Sequence, residues 1–182
     1  GDYEKNVIAG NVCLYGATSG QAFLNGRAGH RFAVRNSGAD IVVEGIGDHG
    51  CEYMTGGRIV VLGDVGRNFG AGMSGGIAYI LPTNEATFKA QCNIEMIEFS
   101  GLEHKEEIEA VRKLIIEHYE QTNSSSALNV LENWEQFISK FVKVVPTDYQ
   151  RIIDKINFHK MQGLPEEKAE MQAFMETTAA MS

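Results

Sequence analysis

The chain has 182 residues and carries 16 basic and 24 acidic side chains, a net charge of −8 at pH 7 with a pI near 5.1. That is enough polypeptide for one or two domains with an adequate core, and the acidity speaks against a nucleic-acid surface. No secretory leader, lipidation signal or bilayer-length apolar run is present, so a cytoplasmic protein is expected.

Two structural regimes meet near Pro82. Eighteen of the 20 glycines precede residue 83, whereas 17 of the 24 acidic residues follow Pro82. In the first regime a phrase recurs: a glycine, a short apolar run and another glycine. Opening glycines stand at Gly20, Gly38, Gly57 and Gly76, spaced by 18, 19 and 19, and closing ones at Gly26, Gly45 and Gly63. A repeat of this length cannot bury its apolar side alone, so the units must stack like the coils of a β-helix.

Stacking places equivalent residues in columns. Ala22, Ile41, Ile59 and Ala78 share one column and Leu24, Val43, Val61 and Ile80 a second. Lying two residues apart on each strand, both face one way, which is taken as the interior. Phe23, Val42, Val60 and Tyr79 form the intervening outward column. A stripe that apolar needs a cover, and the helical faces that follow are the candidates. An aspartate at Val43 is therefore expected to hurt more than one at Val42. Thr18, Asn36, Thr55 and Ser74 are expected to hydrogen-bond along the stack, and the glycines to serve corners where a Cβ would obstruct. Cys13, Phe32 and Cys51 fall at a spacing of 19, which predicts one column with the thiols too far apart to bridge.

Sharper chemical readings fail on context. GIGDHG at residues 45–50 follows an apolar run, with Asp64 placed like the ribose-binding acid of a dinucleotide fold. That chemistry needs a helix after the glycines to hold the pyrophosphate, and seven residues ending in Gly56 and Gly57 make none. Three cysteines, Cys13, Cys51 and Cys92, show no metal-ligand or disulfide spacing, and His30 and His49 lack companion ligands. GMSGG at residues 72–76 misses the nucleophile-elbow pattern. Tyr15, Tyr53 and Tyr79 read as packing residues with polar tips. The predicted sites are accordingly none: catalytic none, cofactor-binding none, metal none.

After Pro82 the period becomes helical. Thr83 or Asn84 is expected to cap a short helix through Ala90, and residues 94–99 read as one more strand. Ile108, Val111, Leu114, Ile115 and His118 recur at helical spacing within residues 105–121. Ser124 or Ser125 caps the next helix, whose face is Leu128, Leu131, Trp134 or Glu135, Ile138 and Phe141. Residues 143–146 form a short extended break, residues 147–159 a third helix, and residues 166–176 a last acidic one. The tail from Thr177 is expected to fray.

The runs NVCLYGATSG from Asn11, GRAGHRFAVRNSGA from Gly26, VEGIGDHGCEYMTGG from Val43 and NFGAGMSGGIAYIL from Asn68 resemble the C-terminal domain of the glutamate synthase large subunit, named for its GxGxG repeat. The likeness continues more loosely through Asn133 and Trp134, Lys140 and Phe141, and Pro146 to Tyr149. The resemblance implies a mainly β fold: a single-stranded right-handed parallel β-helix over residues 1–101 with a C-terminal α-helical extension over residues 102–182. It also implies a non-catalytic scaffold that braces the glutaminase and synthase domains of an oxidoreductase making glutamate from glutamine and 2-oxoglutarate. FMN and the iron–sulfur cluster of such enzymes sit in other domains, so no cofactor is expected in this segment. Expected partners are other domains or subunits of glutamate synthase, with neither nucleic acid nor membrane. The family's β-helix begins with further glycine-rich coils, whereas only residues 1–6 precede Val7 here. A segment of a longer subunit or a split-gene product is expected, with an uncapped first coil that offers a second copy a surface. The competing reading is an independent β-helix binding or transferase domain with a site in a lateral groove.

Overall fold

A computed structural model of the chain describes the backbone of residues 7–9 and residues 14–180 in full. Five strands stack in parallel and in chain order: β1 (Val7–Ala9), β2 (Gln21–Ala28), β3 (Ser37–Gly45), β4 (Thr55–Val61) and β5 (Gly75–Ile80). They form one wall of a parallel β-helix, and the apolar columns set its register. Ala22 pairs with Ile41, Ile41 with Ile59 and Ile59 with Ala78, while Leu24, Val43, Val61 and Ile80 run alongside. Ile41, Val43, Ile59, Val61, Ala78 and Ile80 are wholly buried, packed against Phe32, Ile46, Met54, Phe69 and Met73 from the facing wall.

That facing wall has an unusual backbone. Every second residue adopts a left-handed conformation: Arg31, Ala33 and Arg35 in one coil, His49, Cys51 and Tyr53 in the next, then Asn68, Gly70 and Gly72. Each non-glycine residue held there costs roughly 1–2 kcal/mol, so the stacked core must supply the compensation. Hydrogen bonds between coils do part of that work. The Arg31 and Arg35 amides donate to the Asp48 and Glu52 carbonyls, and the Cys51 amide donates to the Phe32 carbonyl. This alternation sets Ala33 beside Cys51 and Phe32 beside Gly50, which corrects the expected Phe32–Cys51 column by one residue. Cys13 of that column lies outside the described residues. Cys51 and Cys92 are free thiols.

Glycine at the strand entrances is required by close approach. A Cβ on Gly75 would fall onto the Thr55 carbonyl oxygen, and one on Gly57, whose φ is +80°, onto that of Ala39. The polar column behaves differently from expectation. Asn36 is buried, but its Oδ1 accepts from the Gly38 and Ala39 amides and its Nδ2 donates to the Ala39 carbonyl, closing a local turn. Contact along the stack runs through backbone instead, as from the Thr55 and Gly56 amides to the Asn36 carbonyl.

Beyond β5 the chain forms α1 (Glu85–Gln91), capped by the Asn84 side chain, and β6 (Ile97–Ser100), shorter than expected because Ile94 and Met96 turn outward. Helix α2 (Lys105–Thr122) then crosses the outer face of the strands. Ser124 caps α3 (Ser125–Glu132). The helix expected to continue is interrupted at Asn133, whose Nδ2 turns back to the Asn129 carbonyl, before the short α4 (Trp134–Phe137) and a 3-10 turn. The next piece is more than a break. Residues Val142–Pro146 form β7, every residue buried, inserted antiparallel between β5 and β6. Helix α5 (Thr147–Met161) and α6 (Glu166–Ala180) close the chain as a hairpin. The last helix outlasts its predicted end, the Thr177 and Thr178 hydroxyls turning back within it to the Ala173 and Phe174 carbonyls.

The outward stripe is covered as expected. Val42, Val60 and Tyr79 form a second core with Val111, Leu114, Ile115, Ala127, Val130 and Trp134, and Phe23, Ile108 and Phe137 pack against it. Val42 is as inaccessible as Val43, both at 0% exposure, so the expectation that an aspartate at Val42 would hurt less does not hold. Among the described residues no helix is long and apolar enough to cross a membrane.

Candidate functional site

Polar chemistry concentrates where the helical layer meets the strand ends. Glu44, near the end of β3, follows Ile41, Val42 and Val43, shares the outward face of the strand with Val42 and is buried beneath α2 and α3. Its Oε1 accepts hydrogen bonds from the Ser124 hydroxyl and, at 3.3 Å, from His118 Nε2. Serine, histidine and carboxylate so placed suggest a hydrolytic triad, but the order is wrong. Ser124 Oγ faces the carboxylate rather than the imidazole, and it also accepts the Ala127 amide at 3.0 Å as the cap of α3. The imidazole is therefore not placed to take the serine proton, as a triad requires. The trio acts as a bolt between β3, α2 and α3, and Glu44 Oε2 and His118 Nδ1 have no hydrogen-bond partner among the described residues. A buried ionisable pair of this kind fixes geometry more than it adds stability.

A second polar group lies across the outer stripe. Lys143 Nζ stands 2.7 Å from Glu107 Oε2, which also accepts the Tyr79 hydroxyl at 3.1 Å. Burial first, and then the adjacent Glu107 charge, push the Tyr79 hydroxyl far above the ordinary tyrosine range. Tyr79 is thus a packing residue with a hydrogen-bonded tip, as its position in the repeat suggests. Arg58 grips Asp40 with two hydrogen bonds of 3.1 and 2.8 Å, and that contact raises the arginine further.

The residues of the dinucleotide-like stretch are used to join coils. The Asp48 amide donates to His30 Nδ1 at 2.7 Å, and Asp48 Oδ1 accepts the Arg67 amide at 2.7 Å. The Arg67 backbone donor is the main reason the Asp48 carboxyl sits below its usual range. Asp64, placed like a ribose ligand by spacing alone, accepts the Thr83 amide at 2.8 Å. No helix follows Gly50; a turn leads straight into β4. His49 stands 2.5 Å from Glu52, its neighbour in the same turn.

Alongside this corner runs a groove of about 430 Å³ between the strand ends and α3–α4, with Arg27, Asp64, Thr83, Asn129 and Lys140 on its walls. Arg27 Nη2 donates to the Ile46 carbonyl of the adjacent coil at 3.2 Å. The thiols offer little chemistry: burial pushes both Cys51 and Cys92 up to about 12, where almost no thiolate exists near neutrality. No group of three or more potential metal ligands occurs among the described residues. Sequence reasoning identified Ser124 as a cap and His118 as part of a helical face, but did not single out Glu44. The one available signal was a charged residue ending an otherwise apolar strand.

Comparison with known proteins agrees with the geometry. The GXGXG motif model matches residues 1–147. Over 175 residues the chain is 56% identical to the "Glutamate synthase (NADPH) large chain" of Bacillus subtilis, covering 96% of this chain and 12% of that protein. It is 53% identical over 152 residues to the "Glutamate synthase (NADH)" of Schizosaccharomyces pombe, covering 84% of this chain and 7% of the relative. A "Ferredoxin-dependent glutamate synthase" from Antithamnion sp. is 54% identical over 148 residues, covering 81% and 10% respectively. The chain therefore spans about a tenth of the length of these relatives.

Proposed function

Because the chain belongs to the GXGXG motif family, we propose that it serves as a non-catalytic structural domain of a glutamate synthase in the cytoplasm, bracing the glutaminase and synthase domains of the larger enzyme. The observation that carries this reading is the commitment of the polar side chains. Glu44, His118 and Ser124 bolt helices to the β-helix, and Asp48, Asp64 and His30 tie one coil to the next. Groups engaged in holding the frame are not poised to attack a substrate. Glutamate formation from glutamine and 2-oxoglutarate, and the FMN and iron–sulfur chemistry that accompanies it, belong in this reading to other domains.

The test uses the full-length polypeptide that carries this chain. Removing the segment is expected to uncouple glutamine hydrolysis from glutamate synthesis, while the purified segment alone hydrolyses no glutamine and binds no flavin. Retention of fully coupled synthesis without the segment would overturn the bracing role. The groove beside Arg27 and Lys140 favours a second reading, an independent binding or transferase domain with a lateral site. Turnover or saturable ligand binding by the isolated segment, abolished by Arg27→Ala, would select that reading instead.

A further inference from the structure

Both hydrophobic cores of this protein end with β7. Neither contains a residue of α5 or α6, and no apolar side chain of these helices packs against either one. The element on which α6 packs is α5, and its buried residues are the small Ala169 and Ala173. Side-chain ties run inside the pair. His159 Nε2 stands 3.1 Å from Glu176, Lys155 Nζ reaches the Thr177 hydroxyl at 3.5 Å, and Lys160 Nζ lies 3.5 Å from Glu166. The first turn of α5 supplies the links to the rest of the molecule. The Thr147 amide donates to the Met96 carbonyl at 2.8 Å, Tyr149 lies near the Tyr79 hydroxyl, and Gln150 borders a small cavity with Lys143.

We infer that the α5–α6 hairpin is a hinged arm: it moves as one rigid unit about the Pro146–Thr147 junction, while the β-helix, α1 to α4 and β7 stay fixed as a frame. Two bodies keep one relative position when they share a large apolar interface, and move against each other when they do not. Here the frame closes both of its cores without the hairpin, and the hairpin closes its own seam with two alanines and three polar ties. The junction is suited to pivoting. Pro146 is the last buried residue of β7, and α5 starts on the next residue with no side chain capping its first turn, so no cap fixes the direction in which the helix leaves the strand. Rotation at Pro146 ψ and the Thr147 dihedrals swings the whole hairpin without breaking a core contact. The GXGXG motif model ends at residue 147, at this same boundary. The inference goes beyond the bracing role and does not depend on it, since the arm takes its position from what it meets rather than from the frame.

The test is distance measurement by pulsed electron–electron double resonance on the whole 182-residue chain. Spin-labelled p-acetylphenylalanine is placed at pairs of exposed positions, a chemistry that leaves the thiols unlabelled. Lys113 with Glu132 reports on the frame, Asn157 with Glu170 on the hairpin, and Lys113 with Glu170 on the two together. The first two distance distributions are expected to be equally narrow and the third at least about twice as wide, as for a hinge between rigid bodies. A third distribution as narrow as that of the frame would show a fixed arm, and a broad Asn157–Glu170 distribution would show fraying helices instead of a rigid unit; either overturns the inference. As a second measurement, a chain ending after Gln150 should keep its thermal midpoint within about 3 °C of the parent, whereas a larger fall or aggregation would make the hairpin part of the frame and overturn the inference too. Coupled synthesis by the full-length polypeptide bears on the bracing role alone, so the two readings fail separately.

Discussion

Replacing Val42 or Val43 with aspartate probes both cores of this protein with adjacent residues. Their side chains point to opposite sides of β3, Val43 into the β-helix and Val42 beneath α2 and α3, and each is fully inaccessible. Losing the valine forfeits about 1.5–3 kcal/mol of burial. A carboxylate without a partner must then either stay charged in the core or take up a proton at neutral pH. Protonation at pH 7 costs about 4 kcal/mol, from 1.36 kcal/mol per unit over the three units above its ordinary value. The sum, about 6 kcal/mol, rivals the entire stability of a typical domain. Val42 gains no relief from its neighbours on the same face: Arg58 is engaged by Asp40, and Glu44 is a further carboxylate.

The introduced aspartate has its folded-state pKa raised above the unfolded one, so the folded state binds the extra proton. The penalty is therefore smallest below about pH 4 and grows by about 1.4 kcal/mol per pH unit until the folded pKa is reached. Urea unfolding followed by circular dichroism between pH 5 and 7 should show both variants strongly destabilised, and both recovering as pH falls relative to the parent. A Val42→Asp variant within about 1 kcal/mol of the parent, beside a severely unstable Val43→Asp, would mean that the helical layer does not cover the stripe.

Ser124→Ala should cost about 1–3 kcal/mol in urea unfolding, since it removes the α3 cap and one donor to buried Glu44; a smaller loss than for an exposed cap would refute the bolt. Gly72→Ala sets a Cβ 2.5 Å from the Tyr53 ring at a φ of +64°. Its thermal destabilisation should shrink in a Tyr53→Ala background, leaving a residue of about 1–2 kcal/mol of backbone strain, and simple additivity of the pair would contradict the stacking. Deleting residues 103–182 should expose the Val42–Val60–Tyr79 stripe and strip β7 from β5, giving aggregation in light scattering. A monomeric 1–102 fragment with unchanged circular dichroism per strand would show that the helices are an appendage.

The repeat was legible in the sequence because stacking imposes one demand on every coil. Ile41, Ile59 and Ala78 must be apolar for the same reason and at the same spacing, so both the inward columns and the outward stripe could be counted from glycine to glycine. Caps at Asn84 and Ser124 were legible for a local reason, since each satisfies an amide three residues away. What only the tertiary structure decided depends on groups far apart in the chain or on backbone angles that side chains do not announce. Valine and lysine at residues 142–145 read as an extended piece in any setting; that they fill the gap between β5 and β6 follows from where α2–α4 deliver them. The left-handed residues of the second wall include arginine, alanine, cysteine and tyrosine, types with no local preference for that conformation, held there by inter-coil hydrogen bonds and the core beneath. Glu44, His118 and Ser124 lie on three separate elements, and a charge ending an apolar strand acquires its partners only when two helices fold across it.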